Sequence, residues 1–256
     1  MRVFRRIRPP RVTAALAAGL AVTVLTSCST LTGVVSPADA RGEASADEAA
    51  SGPVDCRQAR CVALTFDGGP SKPTPELLDL LKREKVKATF FLQGKGHSDT
   101  YPATIARMAG EGHEIGNHTW SHKDLTKLTP EQILAEMEPV QQEIEKATGK
   151  APTLMRPPQG RTDDDVSKVM RHLGLAQILW SVTAKDYQTT DTELIEKRVL
   201  DQTERDGIIL LHERYAGTIP AVADLIPALR KRGYTFVTVS GLMSPAAPRP
   251  GTVYRP

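Results

Sequence analysis

The chain has 256 residues, 25% of them charged, and its 33 Lys and Arg against 30 Asp and Glu leave a formal net charge of +3. Five arginines fall within the first eleven residues, so the basic excess belongs largely to a leader and gives no argument for nucleic-acid binding. The apolar run from Val12 to Leu25 is about 14 residues long, short of the ~20 that span a hydrocarbon core, which argues against a permanent transmembrane helix.

A basic start, an apolar run and small residues after it read as a cleavable export signal over residues 1–27. The run Leu25-Thr26-Ser27-Cys28 resembles the lipobox of bacterial lipoproteins, in which the cysteine is acylated and becomes the first mature residue. The resemblance implies an exported protein held at the membrane, facing outward, through a lipid on Cys28. Ordinary cleavage near Ala38-Asp39-Ala40, releasing a secreted protein, is the alternative. Residues 28–54, rich in Ser, Ala, Gly and acids with few large apolar side chains, predict a flexible tether.

Beyond Cys28 two cysteines remain, Cys56 and Cys61. In an exported chain an even pair at such short spacing predicts a disulfide, since a metal site would want further cysteines or nearby histidines. Residues 55–243 then hold one domain's worth of chain, long enough for a large core. The proline-dense stretch 244–256 predicts an irregular tail.

Within the domain, short runs rich in apolar and β-branched residues alternate with longer amphipathic stretches. The strand candidates are CVALTF, ATFFLQG, HEIGNH, TLMRPP, AQILWSV, IILLH and YTFVTV. The helix candidates are 75–86, 101–111, 130–148, 163–173, 193–205 and 220–232. Thr129 before Pro130 suits a helix start, and Gly149, Gly174 and Gly233 stand where helices should stop. This alternation predicts an α/β domain with a mainly parallel sheet, open or closed into a barrel. In such folds functional residues collect at the C-terminal ends of strands.

That rule selects Asp67 after LTF, His118 and His122 in HEIGNHTWSH, Arg156 in MRPPQG, Asp186 shortly after AQILWSV, and His212 after IILL. A single histidine at a strand end is more often a structural hydrogen-bonding residue; five polar sites at successive strand ends point to a catalytic rim. His118 and His122, four residues apart, would share one face of a helical turn, within reach of one zinc ion.

The ordered signatures Thr65-Phe66-Asp67-Gly68-Gly69-Pro70, His118-Thr119-Trp120-Ser121-His122, Arg156-Pro157-Pro158-Gln159-Gly160, Trp180 to Tyr187, and Leu210-Leu211-His212 resemble the NodB-homology domain of polysaccharide deacetylases, carbohydrate esterase family 4. The resemblance implies a distorted (β/α) barrel of about seven strands. It implies hydrolysis of an acetamide assisted by a divalent ion, commonly zinc or cobalt, on His118 and His122. Asp67 would be the base held by Arg156, and His212 the acid held by Asp186. A backbone N–H near Gln159 would meet the oxyanion, and Tyr187 and Gln159 would contact substrate. The expected partner is an N-acetylated polysaccharide, peptidoglycan or a chitin-like chain.

The chain departs from the family pattern where a second aspartate, a metal ligand, is expected after Asp67: the residue there is Gly68. Two neutral imidazoles predict weak metal binding. The fourth motif carries Thr183, Asp186 and Tyr187 in place of two aspartates and a tryptophan, and Gln159 stands where an aromatic is frequent. The competing expectations are an O-acetyl xylan esterase and a sugar-binding protein without catalysis.

Overall fold

The computed structural model describes residue 1, residues 33–43 and residues 54–256. The signal segment and Cys28 lie outside the described residues. Among the described residues no helix is long and apolar enough to cross a membrane.

The elements follow in the order β1 (Val34–Val35), α1 (Pro37–Gly42), β2 (Arg60–Gly69), α2 (Thr74–Arg83), β3 (Thr89–Leu92), α3 (Pro102–Gly110), β4 (Glu114–Asn117), α4 (Pro130–Thr148), β5 (Leu154–Met155), α5 (Asp164–His172), β6 (Ala176–Ile178), β7 (Val182–Thr183), α6 (Thr192–Gln202), β8 (Gly207–Leu211), α7 (Thr218–Lys231), β9 (Tyr234–Phe236), α8 (Val239–Met243) and β10 (Val253–Tyr254). Helix α4 begins and ends as its sequence predicts. Thr129 and Gln132 form a capping box, Pro130 opens the first turn, and Gly149 closes the helix at φ 76°.

All strand pairings are parallel, in the order β1-β10-β6-β5-β4-β3-β2-β8-β7, with β9 beside the start of β2. Strand β2 is buried along nearly its whole length, as a central strand covered on both faces must be. The sheet curls into a half-barrel. Leu179 N–H donates to Tyr254 O on one end of the sheet (2.9 Å), and Ser181 N–H donates to Ile208 O on the other (3.2 Å), so only Trp180 separates the two attachments.

Ten strands form where the sequence predicted about seven. AQILWSV divides into β6 and β7 at that crossing, and two strands arise where none was expected. One is in the segment predicted to be a tether: β1 pairs with β10, and α1 follows, started by the Ser36 side chain on Asp39 N–H. The other, β10, is in the predicted irregular tail and pairs with both β1 and β6, with Tyr254 only 1% exposed. Composition failed in both places because the apolar area that orders these short segments belongs to the domain they dock on. Arg41 of α1 fastens the first segment, bonded to Leu242 O and paired with Asp206 at 2.8 Å, both side chains largely buried. Cys56 and Cys61 are joined as a disulfide, Cα atoms 5.6 Å apart, at the entry to β2.

The half-barrel interior holds a fully buried arginine, Arg156, immediately after β5. Its Nη1 donates to Thr65 Oγ1 (2.7 Å) and Asp67 Oδ1 (2.8 Å) on β2, and its Nε donates to Ile178 O (3.0 Å) at the end of β6. The guanidinium lies 4.3 Å from the Phe91 ring centroid and 5.6 Å from that of Trp180.

Removing one partner of a buried ion pair leaves the other charge uncompensated. Arg156→Met is therefore expected to cost about 3–5 kcal/mol of stability, and Arg41→Ala about 2–4 kcal/mol because Asp206 keeps a rim of solvent. Urea unfolding of both variants beside the parent measures this, and midpoints equal to the parent's would show that these pairs do not hold the fold.

Candidate active site

Because every strand is parallel, the C-terminal ends of β2, β4, β5, β7 and β8 share one rim, and the residues singled out from the sequence lie there. Asp67, His118, His122, Gln159, Tyr187 and His212 line a cavity of about 400 Å³, together with Arg214 and others, while Arg156 and Asp186 are buried behind it and reach it through Asp67 and His212. Asp67 is on β2 itself, where the register with β3 shifts between Asp67 and Gly69. Gly68 occupies that bulge at φ 76°, a left-handed conformation that suits glycine. Gly69 is needed for a different reason: a Cβ there would stand 1.9 Å from Glu213 Oε1.

Asp67 is 2% exposed. One carboxylate oxygen is taken by Arg156, and the other lies 3.8 Å from His118 Nε2. His118 Nδ1 lies 2.8 Å from Arg156 O and donates to it, which leaves Nε2 as the unprotonated nitrogen facing Asp67. Burial pushes the His118 imidazole down to about 4, so it is neutral at physiological pH. His122 is lowered too, by burial first and then by the charge of Arg214.

The two rings stand 4.9 Å apart, edge to face, but not on the helical turn that the spacing predicted. The segment between them is a non-helical turn with left-handed residues at Thr119 (φ 68°) and His122 (φ 60°). Such a turn persists only where its surroundings impose it. Asn117 Oδ1 accepts Thr119 N–H at 2.8 Å, Thr119 Oγ1 accepts His122 N–H at 3.0 Å, and Glu136 on α4 accepts both Ser121 N–H and Ser121 Oγ–H at 2.7 Å.

Across the cavity, His212 Nδ1 contacts Asp186 Oδ1 at 2.9 Å, and the His212 backbone N–H donates to Asp186 Oδ2 at 2.6 Å. Thr218 Oγ1 donates to that same Oδ2 at 2.8 Å, so the buried carboxylate is locked from three directions. Tyr187 and Tyr215 flank the imidazole, each centroid 5.7 Å away. Tyr187 is 48% exposed, an apolar face open to solvent, and Gln159 is exposed in a left-handed turn (φ 59°) on the rim.

The residues missed from the sequence are those without motif or periodicity: Asn117, Glu136, Thr218, Tyr215 and Arg214. Glu213 was visible beside His212 and is turned away from the cavity. It accepts from Thr74 Oγ1 at 2.8 Å, and burial pushes its carboxyl up.

The side chains around the cavity do not supply the donors that the expected divalent ion needs. Among the described residues no group of three or more His, Cys, Asp or Glu is disposed to hold a metal. The residue after Asp67 has no side chain, and the space where its Cβ would stand is 3.1 Å from Arg214 Nη1, a positive group. Two imidazoles beside a guanidinium do not make the three-ligand set of a catalytic zinc or cobalt site. The weak metal binding expected from the sequence would rest on His118 and His122 alone.

Residues 55–178 match the family model described as Polysaccharide deacetylase. The chain is 39% identical over 184 residues to the peptidoglycan-N-acetylmuramic acid deacetylase PdaC of Bacillus subtilis, an alignment covering 72% of this chain and 38% of that protein. It is 38% identical over 189 residues to the peptidoglycan-N-acetylmuramic acid deacetylase PdaA of the same organism, covering 72% of each. The chain thus spans well under half of PdaC and most of PdaA. Among solved structures, the T48 deacetylase with substrate aligns at TM-score 0.75 with 38% identity, over 78% of this chain and 99% of that one. Fold, rim and sequence agree, and the chain belongs to the polysaccharide deacetylase family.

Proposed function

We propose that this protein is a hydrolase that removes acetyl groups from N-acetylated sugar units, those of peptidoglycan or of chitin-like polymers. The observation that carries this reading is the pair of opposed, separately oriented groups on one cavity: Asp67 held by Arg156, and His212 held by Asp186. A merely sugar-binding groove has no use for a base and an acid each fixed by its own buried partner. The named relatives act on peptidoglycan, which fits an exported protein.

In this mechanism Asp67 takes a proton from a water molecule whose oxygen attacks the acetamide carbon. The hydrogen bond from Arg156 holds the carboxylate aimed at the cavity. His212 gives a proton to the departing amine nitrogen as the C–N bond breaks, and Asp186 fixes its tautomer and orientation. Tyr187 offers an exposed apolar face to a sugar ring or acetyl methyl. Gln159 lines the cavity in a left-handed turn, and a backbone N–H beside it is the expected oxyanion donor. The incomplete metal set is the one feature that favours the alternative of a carbohydrate-binding protein that has lost catalysis.

Acetate release from N-acetylglucosamine oligomers and from purified peptidoglycan tests the reading. Asp67→Asn and His212→Ala are each expected to lower kcat by about 10²–10⁴, and Asp186→Asn by a smaller factor within that range. An Asp67→Asn variant as active as the parent would overturn the assignment. No acetate from any acetylated sugar would favour the binding protein.

The cell-surface location is part of the proposal: Cys28 is acylated and retains the protein at the outer face of the membrane. Labelled fatty acid should enter the parent and not Cys28→Ala, and that variant should appear in the soluble fraction. Equal retention of both proteins with no label would instead support a secreted form.

A further inference from the structure

The cavity wall beside Gly68 carries a positive side chain that the mechanism above does not use. Arg214, two residues past His212, is half-buried on the cavity wall, and its guanidinium lies against Gly68: Nη1, Cζ and Nη2 are 3.1, 3.4 and 3.7 Å from the position a Cβ there would take. Its one hydrogen bond is weak, Nη2 to Tyr215 Oη at 3.4 Å, with the Tyr215 ring centroid 5.2 Å from Cζ. Among the described residues no carboxylate pairs with it. The one acidic group lining the cavity, Asp67, already has Arg156. A guanidinium with four or more unused N–H donors, facing a partly desolvated cavity beside a base and an acid, is an acceptor site for negative charge.

We propose that Arg214 is the resident cation of this site: it stands where a divalent ion would, and it binds the acetyl oxygen of the substrate and the oxyanion that forms there. Gly68 favours this placement, because a Cβ at that position would crowd the guanidinium at 3.1 Å from Nη1. The inference rests on the deacetylase reading for its chemistry and on geometry alone for the placement of the charge.

The step balances without a metal. The water oxygen bonds to the acetamide carbon as Asp67 takes one of its protons, and the carbonyl π electrons move onto the oxygen facing Arg214. The oxyanion then collapses, the C–N bond breaks, and His212 supplies the proton to nitrogen. The products are acetic acid and the free amine, and solvent returns the proton from Asp67 to His212. Arg214 exchanges no proton. It offers two N–H donors to charge that exists only in the transition state, which is where such donors act on kcat rather than on KM.

The test uses the full chain after exhaustive chelation, as the parent, Arg214→Gln and Arg214→Lys, with thermal unfolding to confirm that each is folded. The chelated parent is expected to keep its turnover on N-acetylglucosamine oligomers. Arg214→Gln should lose about 10²–10³ in kcat with little change in KM, the size seen when one oxyanion donor is removed. Arg214→Lys should recover part of that loss. Calorimetry with zinc alone gives a readout independent of turnover: Arg214→Gln should bind zinc roughly tenfold or more tightly than the parent, because a like charge has left the site. The proposal is overturned if chelation abolishes the parent's turnover and zinc restores it, if Arg214→Gln matches the parent in kcat, or if both bind zinc equally. If the parent releases no acetate with or without zinc, the deacetylase reading falls, and the zinc comparison alone decides whether Arg214 holds the cation position. Should Arg214→Gln fail to fold, the chelated parent and Arg214→Lys decide it.

Discussion

The contact between Arg156 and Asp67 holds both the fold and the site. A guanidinium with no exposed surface sits inside the curled sheet, and burial works against its charge. It persists there because its donors and its face are met: Asp67 and Thr65 on β2, backbone carbonyls of Ile178 and Leu179 at the end of β6, and the nearby Phe91 and Trp180 rings. Thr65 passes the connection on, donating to Ile209 O on β8 at 2.7 Å while it accepts from Arg156. One side chain thus fixes the distance between strands at opposite parts of the sheet. The same bond aims the carboxylate that faces the cavity, so the geometry of the site is set by the interior of the barrel and not by its loops.

The rest of the rim follows the same logic of rigid support. Asp186 is buried and receives three donors, two of them from His212 and one from Thr218, so the imidazole has little freedom to turn. The turn carrying His118 and His122 is held in an uncommon backbone conformation by Asn117 and by Glu136 from a neighbouring helix. Positions that strain the backbone, Thr119, His122 and Gln159 among them, cluster on this rim. The cost of that strain is met by contacts from elements that do not face the cavity.

The ends of the described domain are bound into the sheet. Val34–Val35 and Val253–Tyr254 extend it past β6, and the buried Arg41–Asp206 pair anchors the N-terminal piece to the turn before β8. Asp206 is itself in a left-handed turn (φ 63°) directly ahead of β8, the strand that delivers His212. The segment outside the barrel is therefore connected, through one ion pair, to the strand that delivers His212.

The alternation of strands and helices, the parallel sheet and the family were legible in the chain, and so were the residues Asp67, His118, His122, Arg156, Asp186 and His212 that the fold brings together around one cavity. Those signals are local: hydrophobic period, capping residues and ordered motifs at strand ends are written in short windows of chain. Only the tertiary structure decided what depends on distant groups. Residues 34–35 and 253–254 became strands because an open sheet edge accepts a pair of residues of almost any composition, and their own sequence carries no trace of that edge. The turn between His118 and His122 is not helical because Glu136 and Asn117 compete for its backbone N–H groups. The approach of Arg214 to Gly68 belongs to this second kind as well, since two residues 146 positions apart in sequence meet only when the sheet has curled.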